Sequence, residues 1–302
     1  IRDKSVAAVI EAWNGYADWE KVYTGVLCDA GMSDPAIIQA LDSLSQSRQD
    51  SISCASLPAA MQDRDDAVAF RRGLKKYNGS YLNLSSSWTA MASSDVKARD
   101  MVNQRDFWVP ASVCLAYTMM NTDQIAQWLA PAGLNRGGLP FAIDVRHRYR
   151  VDDRDVLTDN QINPIAVFEG QGVYVWGADT MYAVKSPFND IGVRRLLSML
   201  HAVVRINQLP AVFEPNDDIL RQNQRESLDA VLSPIKAGRG LDWYSIVCDE
   251  TNNPPEVEAN GDLLIDVFLD PTRYTKRIHI CATVPRVGEI EFALQLIDKQ
   301  AA

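Results

Sequence analysis

The chain has 302 residues, enough for about two domains of ordinary size, and its 47% hydrophobic and 23% charged content with 16 glycines and 14 prolines excludes the disordered and collagen-like classes. Its 30 Lys and Arg against 39 Asp and Glu leave a net charge of −9, the wrong sign for neutralising many phosphates, so no direct nucleic-acid partner is expected. Five widely spaced cysteines without a CxxC pair, Cys28, Cys54, Cys114, Cys248 and Cys281, suit buried thiols better than a disulfide framework.

Residues 22–28 read as a strand, and Ser33-Asp34-Pro35 then supplies a cap and a first-turn proline for a helix with Ile37, Ile38, Leu41 and Leu44 on one face. Residues 51–57 form a second candidate strand. Asp63 to Asp66 place acidic groups at the start of a helix carrying Val68, Phe70 and Leu74, and residues 81–84 read as a third strand. This alternation predicts a parallel or mixed sheet with flanking helices, an α/β first domain over residues 1–160. An apolar helix follows over 109–128 and stops at Ala130-Pro131-Ala132-Gly133. Residues 136–160 are polar, and the charged runs 146–150 and 152–155 read there as a solvated loop, a subunit contact or a domain seam.

The second domain is expected over residues 161–302 as two long helices packed on a small mixed sheet, which makes the whole chain α+β. The first helix runs from Asn189 or Asp190 to Pro210 with Val193, Leu196, Leu197, Leu200 and Val204 in a stripe. The second starts behind Pro215-Asn216, and its stretch 221–227 reads as polar on all sides, without a conventional buried stripe. Gly238 and Gly240 end it, and strands follow over 243–248, 263–269 and 278–284. Residues 289–296 put Ile290, Phe292, Leu294 and Leu296 on one side. A lone strand leaves its backbone groups unpaired, so this one joins either its own sheet or a neighbour's.

Familiar catalytic signatures are missing. There is no GxxxxGK[ST], the glycines Gly170, Gly172 and Gly177 lack dinucleotide-binding spacing, and His147, His201 and His279 stand apart without HExxH or GxSxG. The acidic pairs Asp217-Asp218 and Asp249-Glu250 sit where turns and caps explain them. No cofactor, metal or catalytic residue is expected. The most apolar stretch, 196–209, contains His201 and Arg205 and is shorter than the roughly 18 residues of a membrane span, so no membrane insertion is expected either. The start at Ile1-Arg2-Asp3 reads as that of a fragment or processed form.

Several stretches are more specific. The run 165–182, with Trp176, Gly177 and Thr180, resembles the Trp-Gly-x-x-Thr strand and turn of the tail sheath proteins of contractile-tailed bacteriophages. The order that follows is similar to that family too: Arg194-Arg195-Leu196-Leu197, then Phe213-Glu214-Pro215-Asn216, then Asp249 to Asn253 and Pro254, then Gly261-Asp262 leading to Asp270-Pro271. Upstream, 109–112 and 130–133 resemble further landmarks, so the resemblance covers about residues 109–297. Asp179 departs from it, since the family usually carries arginine there.

The resemblance implies a structural subunit and no enzyme. Such subunits polymerise into a helical sleeve around an inner tail tube, between baseplate and tail terminator, and contract to drive the tube through the host envelope. It implies a virion protein assembled in the host cytoplasm. It also implies strand exchange between subunits, with Ile290, Phe292, Leu294 and Leu296 as the donated arm. Arg194, Arg195, Arg221, Arg225 and Glu226 are then the candidates to face the tube or a neighbouring subunit. The alternatives are the sheath of a phage-tail-like bacteriocin or injection machine and, from another class, a nucleotide-binding α/β enzyme.

Overall fold

The computed structural model describes residues 2–74, 88–100, 102–184 and 186–274. The elements of the first part, in order, are α1 (Arg2–Asn14), β1 (Val26–Cys28), α2 (Pro35–Arg48), β2 (Ile52–Ser56), α3 (Arg64–Gly73), β3 (Thr89–Ala92), β4 (Val96–Asp100), β5 (Arg105–Val109), α4 (Ala111–Asp123), α5 (Gly133–Arg136), β6 (Ala142–Val145), α6 (Val151–Asp159) and β7 (Ile162–Asn163). The hairpin β8 (Ile165–Phe168) and β9 (Gly172–Val175) follows. The second part contains α7 (Ile191–Gln208), α8 (Asp218–Ala237), β10 (Leu241–Val247), α9 (Pro255–Ala259) and β11 (Asp266–Pro271).

Helix α2 shows how local chemistry sets these bounds. The Asp34 carboxylate accepts from the Ala36 N–H at 2.9 Å, Pro35 takes the first turn, and Gln49 at φ 63° ends the helix by donating its N–H to Ser45 O. Its buried side chains include Ile37, Ile38, Leu41 and Leu44, each contributing about 1.5–3 kcal/mol of apolar burial.

Strands β1, β2, β3 and β7 form one parallel sheet in that order. The period of two sends Ile52, Cys54, Ala90 and Ala92 to one face, against Ala111, Cys114, Leu115 and Met119 of α4. Ala55, Met91 and Ile162 point the other way, against Ile38 of α2, Ala67 of α3 and Leu157 of α6. The result is a three-layer α/β unit. A second, antiparallel sheet of order β5-β4-β6 and the β8–β9 hairpin extend the α4-side core through Val96, Val145, Ile165, Val173 and Val175.

Two expectations change, and a third falls outside the described residues. The third parallel strand is residues 89–92; the expected strand at 81–84 lies outside the described residues. The helix expected over 109–128 is α4, and Val109 instead ends β5. The charged run 152–155, expected as a loop, opens α6: Asp152 and Asp153 occupy its first turn, where the helix dipole favours them, and Asp153 accepts from the Arg150 N–H at 3.2 Å. Leu157 on the inner side of that helix is fully buried. The parallel sheet takes its last strand, β7, from residues 162–163.

The two long helices of the second part appear as expected. Leu196 and Leu200 of α7 meet Leu232 and Ile235 of α8, together with Leu241, Tyr244, Ile246 and Leu269 from the antiparallel pair β10–β11. The third expected strand, 278–284, lies outside the described residues.

If α6 is part of the core, Leu157→Ala should lower the unfolding free energy by about 3 kcal/mol. Urea denaturation measures this, and a loss below about 1 kcal/mol would contradict the packing of α6 under the sheet.

Candidate functional site

The feature that calls for a partner is the β10–β11 sheet. It has two strands, paired from Leu241↔Pro271 to Val247↔Asp266, and among the described residues neither outer edge is paired further. One face lies on α8 through Tyr244, Ile246 and Leu269. The other face carries Trp243 and Phe268, both about half exposed. Along β10 runs an open groove lined by Arg225, Glu226, Asp229 and Ala230 of α8 and by Tyr244, Ser245 and Ile246 of the strand. The Tyr244 hydroxyl donates to Asp229 at 2.7 Å, and the Lys236 ammonium lies 5.6 Å from its ring centroid. Of the five candidate contact residues, Arg225 and Glu226 line this groove.

The connection between the two strands is held by side-chain amides. Asn253 is buried; its Oδ1 accepts from Leu264 N–H at 2.7 Å and its Nδ2 donates to Leu264 O at 2.9 Å, so one side chain closes the ladder as a backbone would. Asn252 donates to Val247 O at 2.9 Å, and the Asp249 carboxylate accepts from the Thr251 hydroxyl and, at 2.9 Å, from the Thr251 N–H, which hold its pKa below the usual range. Pro254 precedes α9, whose first-turn proline is Pro255.

The preceding turn meets the same connection. Asn216 donates to Asp262 O at 2.8 Å, and the Arg221 guanidinium pairs with Glu258 and, at 3.3 Å, with Asp218. Arg221 was expected on a surface, yet it is buried with Gln224, Leu228, Leu232 and Ile235. The stretch 221–227 therefore does contain a stripe, whose first two members are polar; the first, Arg221, answers the polar turns above it. Phe213, Glu214 and Pro215 are exposed. Phe213 is wholly so, with φ 71°, a left-handed backbone unusual for an aromatic residue.

Arg194 and Arg195, expected to face outward, are buried within the subunit. Arg195 donates to Met119 O at 3.1 Å and pairs with Asp123, so its charge caps the C-terminal turn of α4. The Arg194 guanidinium stacks 3.9 Å from the Trp88 ring centroid and 4.7 Å from that of Phe188, and burial draws its pKa down to about 10, still charged at neutral pH. Ile290, Phe292, Leu294 and Leu296 lie outside the described residues.

The Trp-Gly-x-x-Thr turn is structural. A Cβ on Gly177 would fall 2.8 Å from Asn163 Oδ1 and 2.9 Å from Pro164 Cδ. Thr180 Oγ1 donates to Phe188 O at 2.7 Å, and Trp176 packs against Phe168 with ring centroids 4.6 Å apart. The fastener is Asn163, which was not singled out in the sequence: its Nδ2 donates to Met91 O and Asp179 O, and its Oδ1 accepts from Asp179 N–H at 2.7 Å. This weld uses the backbone of Asp179, so it does not depend on arginine at that position.

At the carboxyl ends of the parallel strands, where α/β folds hold ligands, polar side chains bond to groups of the chain itself. The Asp29 carboxylate accepts from Gly31 N–H, Ser56 N–H and Ser56 Oγ at 2.9–3.0 Å, and Ser93 Oγ accepts from Ile165 N–H at 3.1 Å. Among the described residues no group of three His, Cys, Asp or Glu could hold a metal ion, and no helix is long and apolar enough to cross a membrane.

No protein-family model matches the chain. By sequence it is 32% identical over 250 residues to the tail sheath protein of Vibrio phage KVP40, covering 78% of this chain and 37% of that protein. It is 29% identical over 279 residues to the tail sheath protein of Enterobacteria phage T4, covering 88% and 42%. The chain is a relative of the phage tail sheath proteins. It spans about 40% of the length of these two sheath relatives. The fold is shared with the contracted sheath of an extracellular contractile injection system, at a TM-score of 0.71 and 20% identity over 83% of this chain and 69% of the other. It is also shared with a crystallised sheath tail protein from Listeria innocua, at a TM-score of 0.58 and 12% identity over 87% and 60%.

Two substitutions test the reading of the sheath motifs as internal fasteners. Arg195→Glu should destabilise the isolated protein by about 3 kcal/mol or more, because it reverses the charge at a buried helix cap. Thermal unfolding reports it, and an unshifted midpoint would return Arg195 to the surface. Asn253→Asp should cost about 2 kcal/mol and open the loop at 249–254 to limited proteolysis, since a carboxylate cannot donate to Leu264 O.

Proposed function

We propose that the protein is the structural subunit of a contractile phage tail sheath. Subunits polymerise as a helical sleeve around the inner tail tube, between baseplate and tail terminator in the virion, and contract to drive the tube through the host envelope; assembly takes place in the host cytoplasm. The observation that carries this reading is the two-stranded β10–β11 sheet with both edges open among the described residues. Each edge offers a row of backbone donors and acceptors to one incoming strand, and the alternating sequence with Ile290, Phe292, Leu294 and Leu296 reads as a strand that needs a sheet. Donation of that segment to the next copy is a heterologous contact, and a heterologous contact whose rotation does not close builds a helix.

Surface chemistry supports the same reading. Leu209, Val212, Phe213 and Ile219 are all more than half exposed around the strained turn at Phe213, an apolar surface of the kind that marks association. The protein works by assembly and carries no catalytic role. The glycines Gly170, Gly172 and Gly177 lack phosphate-binding spacing, which argues against a nucleotide-binding enzyme. The sheath of an injection machine shares the fold, whereas the sequence similarity runs to phage proteins, which favours the phage tail.

Electron microscopy of the full-length protein tests this reading. The wild type should form hollow sleeves. Leu294→Pro removes a ladder donor and Phe292→Asp places a charge on the apolar side; each should abolish sleeves while leaving the melting temperature of the subunit within about 2 °C, since in this reading the segment pairs with a neighbouring copy. Undiminished sleeves in both variants, or a wild type that stays monomeric at every concentration, would count decisively against the proposal.

A further inference from the structure

Beyond β11 the chain does not simply run off the sheet. Thr272 donates its N–H to Gly240 O at 3.2 Å and its hydroxyl to Asp242 at 2.6 Å, and two residues later Tyr274 enters a socket. The phenol donates to Trp128 O at 2.5 Å. A Cβ on Gly192, in the first turn of α7, would fall 1.4 Å from the Tyr274 oxygen, so the socket exists only because position 192 has no side chain. Trp128 is wedged in turn: its Nε1 donates to Gly238 O at 3.0 Å, and a Cβ on Gly238 or Gly240 would meet its ring at 2.7 or 2.8 Å. Trp128 comes from the connection after α4 yet packs in the α7–α8 core. Burial pushes the Tyr274 phenol well above its ordinary pKa, which keeps it a donor at neutral pH.

This arrangement has a mechanical consequence. A pull on the chain beyond Tyr274, applied to a bare two-stranded sheet, would peel β11 from β10 one backbone pair at a time, and an isolated pair of strands is marginally stable. With Tyr274 seated, the load passes first into Trp128 and the α7–α8 core. We infer that Tyr274 is a tension stop: it transfers the load of the terminal segment to the Trp128 socket, so that β11 stays paired when neighbouring subunits are displaced. The inference rests on the reading that the residues beyond Tyr274 reach another subunit. In that setting Tyr274 is a positioning residue, which fixes where the exchanged segment departs and leaves only the residues after it to absorb the displacement.

The test separates the mechanical claim from the assembly reading. The full-length protein is held by a handle at the exposed Gln222 of α8 and another at the C-terminus, and stretched singly. In the wild type residues 266–274 should stay bound until the core yields. In Tyr274→Ala a separate early step should appear at lower force, releasing about 30 Å, the extended length of those residues. Tyr274→Phe, which keeps the ring and removes only the hydroxyl, should fall between the two and guards against misfolding of the alanine variant. Equal rupture forces with no early step in either variant would overturn the inference. In sleeves of the full-length protein, amide exchange of residues 266–271 after contraction should rise at least tenfold in Tyr274→Ala and stay unchanged in the wild type; equal protection in both would likewise overturn it. Failure of the wild type to form sleeves would defeat the assembly reading and with it the role given to Tyr274, whatever the pulling result.

Discussion

Backbone hydrogen bonding on the outer edges of β10 and β11 is the constraint on which the second half of the molecule turns. A strand pair satisfies half of its main-chain groups internally and leaves the other half to water or to another strand. Water suffices for a soluble subunit. The arrangement becomes economical when two further strands arrive, because four strands on α8 bury a face that two cover only in part. The surroundings hold the pair in place: Asn253 closes the loop between the strands without adding a strand of its own, Asn216 and Arg221 tie that loop to the start of α8, and α8 supports one face.

Helix α7 joins this platform to the α/β unit. Its leucines serve the second core, while Ile191 serves the first, and Arg195 reaches across to the end of α4. Two consecutive buried arginines would be costly without partners, and each has one of a different kind, a capped helix end for Arg195 and aromatic faces for Arg194. In the proposed polymer, which transmits force, subunits should not deform internally, and this doubly used helix gives the two halves a common member.

Much of the α/β unit could be read from the chain because its local signals agree with the final structure. Asp34-Pro35 caps α2, the apolar stripe of α7 ends at Pro210, and Gly238 stops α8. The failures share a cause: residues chosen for tertiary partners and not for pattern. Thr89-Ala90-Met91-Ala92 is buried on both faces against closely packed helices, so its small side chains show no alternation. The acidic start of α6 looks like a loop until Leu157 is seen beneath it. Arg221 and Arg195 look like surface charges because nothing nearby in sequence announces Glu258 or the end of α4. For the candidate site, the order of the sheath landmarks was visible, but their meeting around the β10–β11 loop was not, since Asn216 and Asp262 are brought together only by the packing of α8.

Strand exchange, the connection between subunits proposed above, has its own physical logic. Side-chain contacts between neighbours depend on register and orientation, so a displacement of a few ångströms breaks them together. A strand laid on an open edge is held by main-chain bonds that are indifferent to what the flanking surfaces do, and its span is taken up by ordinary extended chain. Such a link tolerates large movement only if its two ends are firm. At the receiving end firmness comes from the ladder itself. At the donating end the two-stranded sheet alone is weak, and the Trp128 socket, built from three glycines and two aromatic rings, supplies it. The proposed sleeve, which changes length while staying continuous, would need both features in every subunit, and in this chain both belong to the same small sheet.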